Sequence, residues 1–207
     1  MGKSDAFIFQ EYAAALSGLT YSSVAFLGFS SENQLTRSLP GSTRHFYDRE
    51  LGNWEINSSW KLLQKYDLIV CTRCAYFSKH PYDFVERCKS HLTDEGSALI
   101  DWGLGDHWRF NSYKVGWVRN GEHEFAYHPQ NYLYSSFWNE SLKHNDQVQK
   151  FWQAVKKKPE FGYNEKDSIE EVILSEVPSI VNYSTKKIST KCLWEEENPQ
   201  LYIITII

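Results

Sequence analysis

The loop Gly103-Leu-Gly-Asp-His-Trp-Arg-Phe110 sets Asp106, His107 and Arg109 just beyond an apolar run ending at Trp102. Histidine is the side chain that titrates nearest neutrality, so His107 can take a proton from an acceptor group. It is the candidate base, with Asp106 beside it; the plainer alternative is a loop histidine making one structural hydrogen bond. Arg73 follows the apolar run Tyr66–Cys71. Its guanidinium fork can hold a carboxylate or phosphate, or simply make a surface ion pair. Asp48 ends the short run TRHFYD, either as a ligand group at a strand's carboxyl end or as a turn residue.

Other residue groups with chemical potential are weaker. Cys71 and Cys74 have dithiol spacing. On an extended strand, however, positions three apart face opposite sides, and no second pair completes a zinc site. Burial is the expectation for both. Glu122, His123, Glu124 and His128 have metal-ligand chemistry, but on a strand Glu122 and Glu124 share a face from which His123 points away. A solvated hairpin is expected there. Trp108, Arg109, Tyr113, Lys114, Trp117 and Arg119 mix aromatic and basic groups that can stack an unpaired base, or form a hydrophobic lid or subunit contact. Lys156 to Lys158 suit the basic end of a helix.

These groups must be positioned by an alternation of strands and helices. Residues 8–17 predict a lead-in helix with Ile8, Tyr12, Ala15 and Leu16 on one stripe and Gly18 as its stop. VAFLGF, 24–29, predicts a strand ending in a glycine turn, after which Ser30 or Ser31 can cap a helix over SENQLTRSL. Pro40-Gly41 predicts a turn into a second strand, 43–48. Trp54 and Ile56 alternate like a short strand, and Ser58 or Ser59 can cap a helix over SWKLLQK. YDLIVC, 66–71, is continuously apolar, as a strand covered on both faces should be. Pro81 suits the first turn of a helix whose core face is Phe84, Val85, Cys88 and Leu92, followed by a TDEG turn and a strand over 97–102. Such alternation implies parallel pairing.

Asn120-Gly121 joins two seven-residue runs and predicts a hairpin over 112–128. Its register sets Arg119 opposite Glu122, Trp117 opposite Glu124, Val115 opposite Ala126 and Tyr113 opposite His128. A helix over DQVQKFWQAVKKK and a closing pair of strands, STKCLWEE and LYIITII, complete the chain.

The totals bound the function. The 207 residues suit a single domain with an inserted hairpin. Aromatic residues make up 16%, enough to supply much of a core and to line a site. A net charge of -4 argues against broad binding to duplex nucleic acid, which needs a basic face. The four cysteines, 71, 74, 88 and 192, show no repeated pair spacing and read as reduced thiols, with no disulfide assigned. Absence of a long apolar run and of an apolar signal core leads to the expectation of a soluble, cytoplasmic protein without a membrane partner.

The order of elements, with a glycine turn after the first strand, an acid ending the second and a closing pair whose last strand inserts antiparallel, resembles the class I S-adenosylmethionine-dependent methyltransferases. DLIVCTRCAYF followed by HLTDEGSALIDWG resembles that family's fourth strand and its entry into the fifth. Aligned on VAFLGFSSE, the positions of the family's strand acid and three glycines read Phe26, Gly28, Ser30 and Glu32. The resemblance implies a Rossmann-like α/β sheet, mostly parallel with an antiparallel last strand, plus the inserted β-hairpin. It implies S-adenosylmethionine as cofactor, with Gly28, Ser30, Asp48, Trp54 and Thr72 facing it: Asp48 on the ribose hydroxyls and Trp54 over the adenine. It further implies an acceptor side formed by His107, Asp106 and Arg73. Residues 72 to 76, Thr-Arg-Cys-Ala-Tyr, lack the motif of DNA amino methyltransferases, so the acceptor implied is a small molecule or nucleotide-like compound, with nucleic acid less favoured. A homo-oligomer is compatible with this reading. The reduced glycine loop and the aromatic excess suggest the alternative, a catalytically inactive binding or assembly module of the same fold.

Overall fold

The computed structural model describes residues 3–78, 81–104, 117–119, 122–124, 146, 187–193 and 200–207. The chain divides into two compact units: Met1–Trp102 with Thr185–Ser189 and Ile204–Ile207, and Gly103–Ser184 with Thr190–Ile203. Its elements run α1 (Lys3–Ala15), β1 (Ser23–Leu27), α2 (Gln34–Arg37), β2 (Thr43–Tyr47), β3 (Tyr66–Cys71), α3 (Pro81–Ser90), β4 (Leu92–Leu104), β5 (Trp117–Arg119), β6 (Glu122–Glu124), β7 (Lys187–Leu193) and β8 (Gln200–Ile206).

Six strands form one sheet in the order β2-β1-β3-β4-β8-β7. β2, β1, β3 and β4 run parallel. Ala98 and Ile207 exchange both backbone hydrogen bonds, at 3.0 and 3.1 Å, the signature of an antiparallel pair, so the last strand runs against β4. β8 thus inserts between β4 and its own predecessor, giving a Rossmann-like sheet, mostly parallel with an antiparallel last strand. Every residue of β1 is buried, as is all of β3 except Asp67. These continuous apolar runs fit strands covered on both faces, whereas β2, with Thr43, Arg44 and His45, has the mixed exposure of an edge.

Alternation along the strands separates the two covers. Tyr12 of α1 reaches Asp101, while Cys88 of α3 lies near Cys71, the residue paired with Ile100 on the opposite face. On the α1 side, Phe9, Phe26 and Phe29 make edge contacts at 5.7 and 6.3 Å, and Phe26 stacks on Phe46 at 5.2 Å.

Several local expectations are corrected. α1 begins at Lys3 rather than Ile8, with Asp5 in its first turn, where an acid complements the helix dipole. α2 is capped by Asn33, not by Ser30 or Ser31. The Asn33 side chain accepts from the Leu35 and Thr36 amides at 2.9 and 3.0 Å, and Thr36 Oγ1 accepts from the Asn33 amide at 2.9 Å. That reciprocal box selects one capping residue among three.

No helix forms over SWKLLQK and no strand at Trp54–Ile56. Competing donors claim the carbonyls there: the Trp60 indole bonds the Ile56 oxygen, and Arg87 reaches the oxygens of Ile56 and Ser58. TDEG is not a turn between elements but an irregularity within β4. Leu92 pairs with Tyr66 and Ser97 with Leu68, so the residues between them bulge. A Cβ at Gly96 would stand 2.8 Å from the Tyr66 carbonyl oxygen, which explains a glycine at this close approach.

α3 begins at Pro81 and buries Phe84, Val85 and Cys88 as expected. The hairpin forms with Trp117 opposite Glu124 and Arg119 opposite Glu122. Its Val115–Ala126 and Tyr113–His128 pairs lie outside the described residues, as do residues 147–158 of the helix expected over DQVQKFWQAVKKK, Lys156 to Lys158 among them. Among the described residues, no helix is long and apolar enough to cross a membrane.

Candidate functional site at the strand ends

The carboxyl ends of β2, β1 and β3 lie side by side and bring together Asp48, Gly28 and Thr72. The Gly28 amide donates to the Tyr47 carbonyl at 2.8 Å, joining the glycine turn to the residue before Asp48. Gly28 has a φ of +83°, a left-handed conformation that glycine adopts without cost. A Cβ placed on it would lie 3.0 Å from Cys74 Cβ, 3.2 Å from Cys74 Sγ and 4.0 Å from the Thr72 carbonyl oxygen. The glycine is therefore required by the protein's own packing, with Cys74 occupying the space that a side chain would fill.

Asp48 organises the turn after β2. Its Oδ1 accepts from the Glu50 amide at 2.8 Å, and its own amide donates to Asn53 Oδ1 at 3.0 Å. The second carboxylate oxygen has no hydrogen-bond partner among the described residues, so Asp48 combines a turn role with an open acceptor. Ser30 is half-buried and makes no hydrogen bond among the described residues. Glu32, at the third position of the loop, lies within 3.1 Å of Arg37 and 3.6 Å of Arg44, which compensate its charge.

Trp54 is buried, with its ring centroid 5.3 Å from that of Trp60, which packs on Phe84 at the same distance. One side of the indole thus belongs to an aromatic cluster. Its Nε1 is buried without an acceptor among the described residues. Thr72 Oγ1 is likewise buried without a bond of ordinary geometry, though it lies beside the Tyr12 phenol. A buried donor without an acceptor is costly, and a ligand atom is one way to satisfy it.

Arg73 differs from its expected use. Its guanidinium bonds Asp5 of α1 at 3.0 Å, with both side chains largely covered. Its backbone has a φ of +53°, the only positive value at a non-glycine among the described residues. The Arg73 amide donates to both oxygens of Asp101, at 3.0 and 3.3 Å. Tyr12 donates its phenolic proton to Asp101 Oδ1 at 2.5 Å, and its oxygen lies 3.2 Å from the Cys71 carbonyl. Burial, followed by the Asp101 charge, raises the Tyr12 pKa well above its ordinary value, so this phenol stays protonated.

Asp101 is wholly buried, and the sequence reading passed over it. Its signal was present in SALIDW: a carboxylate in an otherwise apolar strand must find donors. The reversal at Arg73 also corrects the expectation for the cysteines. The strand period ends at Cys71, and Cys74, only half-buried, packs against Gly28. Cys71, Cys74 and Cys88 are free thiols, and no cluster of metal-ligand type occurs among the described residues. Asp106, His107 and Arg109 lie outside the described residues.

No family model matches the chain, and no curated protein matches it. Among solved structures it is similar to a SAM-dependent methyltransferase from Geobacter sulfurreducens in complex with S-adenosyl-L-homocysteine, with 10% identity, 100% of this chain and 91% of that chain covered, and a TM-score of 0.40. It is also similar to a SAM-dependent methyltransferase from Thiobacillus denitrificans in complex with the same compound, with 10% identity, 100% and 92% covered, and a TM-score of 0.39. A third similarity is to YjhP from E. coli, with 9% identity, 100% and 93% covered, and a TM-score of 0.39. Likeness at this level bears on neither ligand nor activity.

Proposed function

We propose that this chain is an S-adenosylmethionine-dependent methyltransferase acting on a small-molecule or nucleotide-like acceptor. The observation that carries the reading is the convergence of Gly28, Asp48 and Thr72 at adjacent strand ends, where open α/β sheets collect ligands. The residues present fit a nucleoside: the open oxygen of Asp48 can accept from a ribose hydroxyl, and the buried Trp54 N–H and Thr72 hydroxyl can pair with ligand atoms. When bound, the cofactor supplies an electrophilic methyl on a sulfonium, transferred by direct displacement. The chain's task is then to align the acceptor and, where needed, remove a proton. His107 is assigned the base and Asp106 its neighbour on the acceptor side. Arg73 is engaged with Asp5.

The test is calorimetric titration with S-adenosylhomocysteine. Binding that weakens roughly tenfold or more in Asp48→Ala, the order expected when a charge-assisted hydrogen bond is lost, supports the reading. Absence of binding at millimolar ligand overturns it. One observation favours a second reading, a methyltransferase-like binding or assembly module: Cys74 fills the space beside Gly28 that a cofactor-binding glycine leaves open. That reading predicts no nucleoside affinity together with stable self-association or partner capture. A monomer that binds the nucleoside refutes it.

A further inference from the structure

β2 is an edge strand, and the outward-facing groups at its carboxyl end are closed by one side chain. The Gly28 amide bonds the Tyr47 carbonyl on the β1 side, so the flanking Phe46 carbonyl and Asp48 amide face away from the sheet. Asn53 takes both: its Nδ2 donates to the Phe46 oxygen at 2.9 Å, and its Oδ1 accepts from the Asp48 amide at 3.0 Å. A parallel neighbour would bracket Tyr47 with the same two bonds, so one carboxamide stands in for a further strand. The link from Asp48 to Asn53 is a tight turn. The Leu51 amide donates to the Asp48 carbonyl at 3.2 Å, the Gly52 amide donates to the Arg49 carbonyl at 3.0 Å, and Gly52 has a φ of +66°. Within it the Glu50 amide holds Asp48 Oδ1 at 2.8 Å. Asp48 is therefore fixed twice, its backbone by Asn53 and its carboxylate by Glu50.

We propose that Asn53 is a positioning residue for Asp48, fixing the strand end so that the open carboxylate oxygen meets the ribose hydroxyls of a bound nucleoside. The inference rests on the nucleoside reading above and deepens it. A binding group must be held to within about 0.5 Å of its productive place, by partners of its own. Asp48 follows the last residue of β2, which has a strand on one side only. Without the carboxamide its amide would bond water, and its backbone would be free to turn. Asn53 itself is exposed, so water can replace its bonds and the fold survives its loss. A carboxamide that only blocked edge pairing would have no bearing on the ligand.

The experiment uses the full chain. Wild type, Asn53→Ala, Asp48→Ala and the double variant are titrated calorimetrically with S-adenosylhomocysteine and with its 2′,3′-dideoxy analogue. Asn53→Ala is expected to bind S-adenosylhomocysteine roughly tenfold more weakly, the order of a charge-assisted hydrogen bond put out of line, and to bind the dideoxy analogue as wild type does. Asp48→Ala keeps the backbone amide, and in that background the same substitution should change affinity less than about twofold. Exchange of the Asp48 amide, followed by NMR, should quicken in Asn53→Ala while a urea transition shows the variant folded. Where Asn53→Ala does not fold, Asn53→Ser, whose hydroxyl is too short to span both bonds, is read in the same cycle. Unchanged amide exchange overturns the clamp itself, whatever the ligand does. Equal losses on the two ligands, equal losses with and without Asp48, or unchanged affinity for S-adenosylhomocysteine overturns the positioning role and leaves the nucleoside reading standing. Lack of binding by wild type at millimolar ligand overturns both.

Discussion

Replacing Gly28 with alanine tests whether the glycine turn is held by the protein's own packing. An alanine at a φ of +83° incurs roughly 1–2 kcal/mol from its left-handed backbone. Its Cβ would meet Cys74 Cβ at 3.0 Å and Sγ at 3.2 Å, too close to the strand-end backbone to relax freely, and such overpacking costs about 1–3 kcal/mol. Gly28→Ala should therefore lose roughly 2–5 kcal/mol, read as a lower urea midpoint at unchanged slope. The two contributions separate in a double-mutant cycle. In a Cys74→Gly background the contact is gone and only the backbone part remains, leaving a coupling of about 1–3 kcal/mol. Cys74→Ala keeps the Cβ contact and should recover little. Additivity of Gly28→Ala and Cys74→Gly within about 0.5 kcal/mol would refute the contact as the reason for glycine.

Three further outcomes follow from the same geometry. Asp101→Asn turns an amide donor toward groups that already donate, the Tyr12 phenol or the Arg73 amide, and should destabilise by roughly 2–4 kcal/mol in chemical denaturation, whereas a change below about 0.5 kcal/mol would contradict the network. Asp67 accepts from the Ser22 and Ser23 amides and from the Ser23 and Thr93 hydroxyls; burial opposes its charge, but these bonds prevail and lower its pKa. Its stabilisation is thus complete above the unfolded carboxyl value of about 3.9 and is lost as pH falls through the lower folded value, so the difference between wild type and Asp67→Asn should shrink across that acid window. Arg87→Met removes bonds to the Ile56 and Ser58 carbonyls and should cost about 1–2 kcal/mol, with faster amide exchange in residues 55–60 if those bonds hold the segment.

The sequence was most legible where one period ran unbroken. YDLIVC could only be a covered strand, and Phe84, Val85 and Cys88 repeat at helical spacing, so β3 and α3 were recovered with their buried faces. The inserted last strand followed from element order. What escaped depended on contacts distant in sequence. Ser30, Ser31 and Asn33 are all good caps, and Thr36 decides among them by closing the box. The segment after Trp54 has helix-forming residues, but Arg87, some thirty positions away, claims its carbonyls. Cys74 was read as continuing an extended strand because a left-handed residue at Arg73 cannot be foreseen without Asp101 beside it. Gly28, Asp48 and Thr72 do follow the ends of β1, β2 and β3, as the apolar runs led one to expect. The ion pair that occupies Arg73 was not legible, since Asp5 lies 68 residues earlier.

The measurement that bears most directly on the central claim is a crystal structure of the chain with S-adenosylhomocysteine. The ribose should lie beyond the carboxyl ends of β1 and β2, with a hydroxyl about 2.5–3.0 Å from the free oxygen of Asp48 and a ligand atom accepting from Trp54 Nε1. A nucleoside bound elsewhere, or crystals grown at saturating ligand in which Asp48 faces only water, would contradict the account.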